Sequence, residues 1–378
     1  METKIKRLGF IDAARALAII LMLQGHFISL TYKDYTVMAQ GAIYGTSGNF
    51  FFDAWFLLRG FTAPLFFSIT GLVFTFLLLR EREKPFWSQI RVRKGFKRGF
   101  EVMLWGYILC LNYKNWHLYA AGKIPDRTWS FHVLQSIGFS LFVVISLYAV
   151  ALLVKRIRVS VLFLCVATII IAVTPYFKAM GDNYFPSWAP QIIQNMFNGP
   201  NSFFPIFPWF GYVLLGGSVG ALLQERKSIL TEKWTPLKYA GIGAAVCLSV
   251  VGLVHLIDWI FAPSLDFTTI GIRFGNFAMV LGVLVGLLYL ERTEKLRIPF
   301  FVEMGKNTLD IYIVHTILLY GSVFGWGVRT YIEKSISFPM AVLGAITFIL
   351  FFGIMTHYQN KFKRWWRGRK EKKKLTEN

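Results

Sequence analysis

The chain has 378 residues, 55% of them hydrophobic and 17% aromatic, with 16% charged and a mean hydropathy of +0.50. So apolar a composition excludes an ordinary soluble domain. Lipid leaves only helices or closed barrels as spanning backbones, and recurrent apolar runs of about 20 residues select helices. The net charge of +21 suggests nucleic acid until its placement is considered: the basic residues crowd into short segments between apolar runs, and no nucleic-acid-reading module accompanies them.

The spans expected in chain order are 9–31, 55–79, 96–113, 130–154, 159–176, 203–223, 237–261, 270–290, 306–327 and 338–358. This is an all-α, polytopic membrane bundle of about ten transmembrane helices. With the N-terminus inside, the inner segments hold 31 Lys and Arg and the outer ones seven, while Arg15, Arg59 and Arg273 lie within spans. The positive-inside rule then predicts that both termini are cytoplasmic and that the protein is multi-pass in the cell (inner) membrane. The first span has the outline of a signal peptide, but Asp12 and Arg15 interrupt its core and no small-residue cleavage site follows, so it is expected to be retained. Three longer pieces lie between spans, at about 32–54, 80–95 and 177–202. Cys110, Cys165 and Cys247 all fall in spans and are read as packing residues, implying neither a disulfide frame nor a metal site.

The first span, RLGFIDAARALAIILMLQGHFISL, carries three groups foreign to oil: Asp12, Arg15 and His26. A charge near the bilayer centre costs at least ~2.5–3.5 kcal/mol on insertion scales. On a helix, the eleven residues from Arg15 to His26 close to within ~20° of three full turns and rise ~16 Å, so the two share a face. Asp12, three residues before Arg15, lies on nearly the same stripe. Mutual neutralisation of Asp12 and Arg15 is one reading; a polar stripe linking the two sides of the membrane is the other. His26 can exchange a proton near neutral pH.

In the second span Arg59 either snorkels to the outer interface or faces inward as a cation for Asp53 or an anionic ligand. Within the ninth span, GKNTLDIYIVHTILLYG, residues Thr308, Tyr312 and His315 follow helical spacing along one face. Capping explains Asn307 or Thr308; His315 has no equally plain explanation. The inner stretch from Arg80 to Arg98 includes Arg91, Arg93, Lys94, Lys97 and Arg98. It serves either topology alone or the phosphates of a ligand. The tail 361–378, with KFKRWWRGRKEKKK, suits the anionic cytoplasmic leaflet.

Taken together these stretches resemble integral-membrane acyltransferases. RLGFIDAARALAIILMLQGHF is similar to their opening span, in which an Arg, ten residues and a His recur. FLLRGFTAPLFFSITG resembles the second-span motif of the heparan-α-glucosaminide N-acetyltransferase-like family, and HVLQSIGFSL, FPIFPWFGYVLLGGSVG and GKNTLDIYIVHT resemble its later landmarks. The resemblance touches spans one, two, four, six and nine in order. Gly25 stands where many bacterial relatives have an acidic residue, and the first outer loop has no match to the luminal segment of the animal enzymes.

The resemblance implies a transmembrane acyltransferase domain over 1–360 followed by the basic tail 361–378. It implies transfer of an acetyl group from cytosolic acetyl-CoA, as co-substrate and without a metal, to an amine or hydroxyl of a sugar or glycan at the outer face. The implied catalytic set is His26, Arg15, Asp12, Arg59, Asn307 and His315. Arg15, Arg91, Arg93, Lys94, Lys97 and Arg98 are the donor-binding set. His26 would act as base or carry the acetyl group itself, and Asn307, Tyr312 or His315 would donate to the oxyanion. Partners are acetyl-CoA, the acceptor and membrane lipids, with no nucleic acid; a homo-oligomer is left open. O-acylation of cell-envelope sugars shares the Arg–ten–His pattern and is one alternative; a multi-span small-molecule transporter is the other.

Overall fold

The structure is a computed structural model that describes residues 8–154, 156–181, 185–186, 188–261, 265–293 and 299–376, with the backbone alone at 367, 368 and 370–376. Regular structure among these residues is helical. The principal helices are α1 (Gly9–Thr31), α2 (Tyr35–Tyr44), α3 (Phe50–Leu78), α4 (Ile90–Cys110), α5 (Val133–Leu153), α6 (Val159–Ala172), α7 (Ile206–Glu225), α8 (Thr235–Phe261), α9 (Thr268–Arg292), α10 (Pro299–Lys306), α11 (Thr308–Tyr320) and α12 (Phe338–Thr376). Eight are long and apolar enough to cross a membrane, namely α1, α3, α5, α6 with its short continuation to Ala179, α7, α8, α9 and α12. They coincide with eight of the ten expected spans.

The other two expected spans take different shapes. α4 starts at Ile90, not 96, so its first turns carry Arg91, Arg93, Lys94, Lys97 and Arg98. α11 is only 13 residues long and stops at Tyr320 rather than 327, because Gly321 takes the left-handed conformation that ends helices. Asn307 breaks it from α10 at its other end. The loop expected over 32–54 contains α2, closed by left-handed Gly45. The basic tail continues α12 to Thr376, since Lys and Arg are good helix formers. Part of the segment 177–202, expected to be outside, lies beyond the described residues, Ser187 included.

The chain divides into two compact units. One is drawn from Met1–Thr62, Leu287–Gly321 and Trp326–Asn378. Its centre is α1, against which α10, α11 and α12 pack. Ala14, Ala16, Ala18, Ile19 and Leu23 are wholly buried; small side chains let helix backbones approach closely in a membrane bundle. The approach is closest at Gly305 of α10, where a Cβ would overlap the Asp12 carbonyl. Leu8, ahead of α1, has no capping side chain. The Glu291 carboxylate takes that part, accepting from the N–H groups of Gly9 (2.6 Å) and Phe10 (2.9 Å).

The other unit comprises Ala63–Gly286 and Ser322–Gly325. There α4 packs on α5, and α7 packs on α5 and α6. The C-terminal half of α3 lies against α7 through glycines. A Cβ at Gly216 or Gly220 would overlap the carbonyls of Ser68 or Leu72, and one at Gly71 the carbonyl of Val213. Gly216 and Gly220 are four apart, the spacing that opens one helix face to a close neighbour.

Candidate functional site

The site forms where the last turns of α1 meet the last turns of α11. The His26 Nδ1 lies 2.6 Å from the Tyr320 hydroxyl, and the two rings meet edge to face at 5.7 Å between centroids. The His315 ring stands 5.5 Å from that of His26, centroid to centroid, and Tyr312 meets His315 edge-on at 4.9 Å. His315 is 1% exposed. Its Nδ1 donates to the Ile311 carbonyl at 3.3 Å; a carbonyl can only accept, so His315 presents a lone pair on Nε2. Left-handed Gly321 allows the chain to turn sharply just past Tyr320, and a Cβ there would meet the backbone of Trp326.

A cationic rim adjoins this pair. The stem of Arg59 covers Gly25, where a Cβ would stand 3.2 Å from the Arg59 Cγ. The Arg59 guanidinium lies over the Tyr35 ring at 5.3 Å, and Lys334 lies over the same ring at 4.1 Å. Lys334 Nζ donates to the Ser29 carbonyl at 2.6 Å. The backbone around it clasps the end of α1: Lys334 N–H bonds to Leu30, and Ser335 and Ile336 N–H both bond to Thr31. Burial, and then the Arg59 charge, push the Lys334 ammonium below the usual lysine range. Trp55 Nε1–H donates to the Gln24 side-chain oxygen, fixing α3 to α1 two residues before His26.

The structure therefore brings together His26, His315 and Arg59 of the expected residues, and adds Tyr320, Tyr35 and Lys334. Arg59 does not engage Asp53, whose carboxylate accepts from Ser47 at 2.5 Å. Asp12 and Arg15 pair with each other at 3.8 Å, with the Arg15 side chain 32% exposed. They sit on the His26 helix, Arg15 ~16 Å and Asp12 ~21 Å away along its axis. Asn307 is not brought to His26. Its amide nitrogen donates to the Glu303 carbonyl (2.9 Å) and the Asn360 side chain (3.2 Å), and its oxygen accepts from Lys363 (3.3 Å). Lys363 also joins Asp310 at 3.0 Å, so both polar residues at the start of α11 serve its junction with α12. Arg91, Arg93, Lys94, Lys97 and Arg98 belong to the other unit. All but the half-buried Arg91 are exposed, and Arg98 pairs with Glu101 at 3.0 Å.

Tyr320 and Lys334 had no local signal, because each reaches His26 or Tyr35 only through tertiary packing. Among the described residues no group of three His, Cys, Asp or Glu side chains is placed to hold a metal ion. A helical multi-pass membrane protein with a half-buried histidine–tyrosine pair near the end of its first span is the class that fold and site define. The family model described as heparan-alpha-glucosaminide N-acetyltransferase, catalytic, matches residues 7–260, about two-thirds of the chain. The chain belongs to that family of membrane acetyltransferases. The matched residues hold Asp12, Arg15, His26 and Arg59, whereas His315, Tyr320 and Lys334 lie beyond them. No curated protein matches the chain significantly.

Proposed function

We propose that the chain transfers an acetyl group from acetyl-CoA, supplied on the cytoplasmic side, to an amine or hydroxyl of a sugar acceptor at the outer face. The observation that carries the reading is the 2.6 Å contact between His26 Nδ1 and the Tyr320 hydroxyl, made inside a membrane bundle of an acetyltransferase family. With Nδ1–H donating to Tyr320, the His26 Nε2 holds the lone pair a base requires. It removes the proton of the acceptor amine or hydroxyl as that nucleophile attacks the thioester carbonyl carbon. The C–O π electrons move onto oxygen; the tetrahedral intermediate then collapses, breaking the C–S bond. The imidazolium returns its proton to the departing CoA thiolate.

The remaining roles follow from position. Arg59, whose stem covers the residue before His26, supplies positive charge for the developing oxyanion. His315 donates its Nδ1–H to the Ile311 carbonyl and so keeps a lone pair rather than an N–H on Nε2; we assign it to orienting the acceptor. Arg15, steadied by Asp12, contacts the donor ~16 Å deeper along α1, a length on the scale of a pantetheine arm.

The test is a vesicle assay. Purified protein is reconstituted in proteoliposomes, labelled acetyl-CoA is supplied on one side, and amino-sugar and neutral-sugar acceptors on the other. Consumption of acetyl-CoA with label in the sugar supports the enzyme. Accumulation of unchanged sugar or acetyl-CoA across the membrane would show a carrier instead.

A further inference from the structure

A cavity of about 360 Å³ opens in the second unit, lined by Arg82, Arg156, Ile157, Arg158, Glu225 and Arg226. Its walls come from three separate stretches. Arg82 follows α3, Arg156 and Arg158 precede α6, and Arg226 ends α7. All three stretches fall on the side that the charge distribution assigns to the cytoplasm. Four guanidinium groups around one hollow repel each other, and two of them stand just before the N-terminus of α6, the end of a helix that disfavours cations.

A single carboxylate lines the hollow with them. The one carboxylate in the lining, Glu225, accepts from the Ser160 N–H (3.3 Å) and hydroxyl (2.6 Å). Among the described residues none of the four guanidinium groups makes a salt bridge or a side-chain hydrogen bond. This distinguishes them from Arg98 on α4, which is paired with Glu101. Positive-inside topology accounts for basic residues in these loops, but not for the convergence of four of them on a hollow with one carboxylate. The planar fork of arginine matches phosphate oxygens two at a time.

We propose that this cavity is a phosphate-binding site, taking a ligand that presents clustered phosphate oxygens. Two sources carry that chemistry on this side of the membrane: the nucleotide phosphates of CoA, an assignment that rests on the donor reading above, and the headgroup of an anionic phospholipid.

The experiment uses the full chain in nanodiscs of zwitterionic lipid, with or without phosphatidylglycerol. Binding of inorganic pyrophosphate, CoA and dephospho-CoA is measured, and retained phosphatidylglycerol is counted by native mass spectrometry. The Arg156→Gln/Arg158→Gln double variant is compared with single Arg82→Gln and Arg226→Gln variants, which carry the test if the double variant does not fold. Lys227→Gln, an exposed neighbour outside the lining, controls for general charge.

Pyrophosphate affinity is expected to fall at least ~10-fold in the double variant, from the loss of charge-assisted hydrogen bonds, and to hold in Lys227→Gln. A parallel fall for CoA, weaker for dephospho-CoA, assigns the site to the nucleotide. Loss of retained phosphatidylglycerol with CoA binding intact assigns it to the headgroup. Pyrophosphate, CoA and phosphatidylglycerol all within twofold of wild type, in variants that unfold at the wild-type temperature, would overturn the site. Binding is read without turnover, so failure of the His26 chemistry leaves this result standing.

Discussion

A neutral imidazole has one N–H and one lone pair, so the bond on one ring nitrogen decides what the other offers. In the proposed mechanism Tyr320 makes that decision for His26, being 2.6 Å from Nδ1. Tyr320→Phe keeps the ring and its edge-to-face packing but removes the hydroxyl, freeing His26 to rotate or exchange tautomers. It is expected to lower kcat by about 10²-fold, in the range of general-base contributions, with KM for acetyl-CoA and thermal stability nearly unchanged. An unaltered kcat would remove Tyr320 from the mechanism.

The histidines were legible in the sequence because an ionisable residue inside a span needs a reason, and helical arithmetic alone put His26 on the Arg15 face. Tyr320 was not legible, since a tyrosine near a membrane interface needs none. The partners of Asn307 were likewise not legible: capping gave it a place at a helix start, and only packing brings Asn360 and Lys363 to its side chain.

Among elements, apolar runs of sufficient length revealed eight helices, because lipid makes hydrophobicity and length the dominant constraints. Where charge or a backbone break intervened, the boundaries moved. α4 absorbed Arg91, Arg93 and Lys94, three basic residues that read as loop, and α11 stopped seven residues early at Gly321. Contacts between helices left a fainter trace, visible only as glycines at a spacing of four. Gly216→Leu is expected to force α7 away from the Ser68 carbonyl of α3, destabilising the bundle by about 3 kcal/mol or more. Gly241→Ala on α8, where a Cβ meets nothing within 4 Å, is expected to be neutral. Thermal unfolding in detergent separates them, and equal midpoints would contradict the α3–α7 packing.

For the whole molecule, the proposed reaction requires donor and acceptor on opposite sides, and hence the topology drawn from charge asymmetry. Both termini are expected in the cytoplasm, with the 177–202 segment outside. Ser187, an attractive labelling position by sequence, lies outside the described residues, but Trp188 beside it is 81% exposed. In a chain with Cys110, Cys165 and Cys247 replaced by Ala, a cysteine at Trp188 should react with an impermeant maleimide on intact cells. One at Ser228 should react only after permeabilisation. The reverse pattern would place His26 on the wrong side for the acceptor.

The central claim is that His26 moves the proton. Glutamine can keep a hydrogen bond to Tyr320 but cannot act as a base near neutral pH, so His26→Gln separates the chemistry from the packing. With labelled acetyl-CoA on the cytoplasmic side of vesicles and an amino-sugar acceptor on the other, the variant is expected to bind acetyl-CoA and unfold as wild type does. Its transfer rate is expected to fall by about 10²–10⁴-fold. Transfer at the wild-type rate would contradict the account.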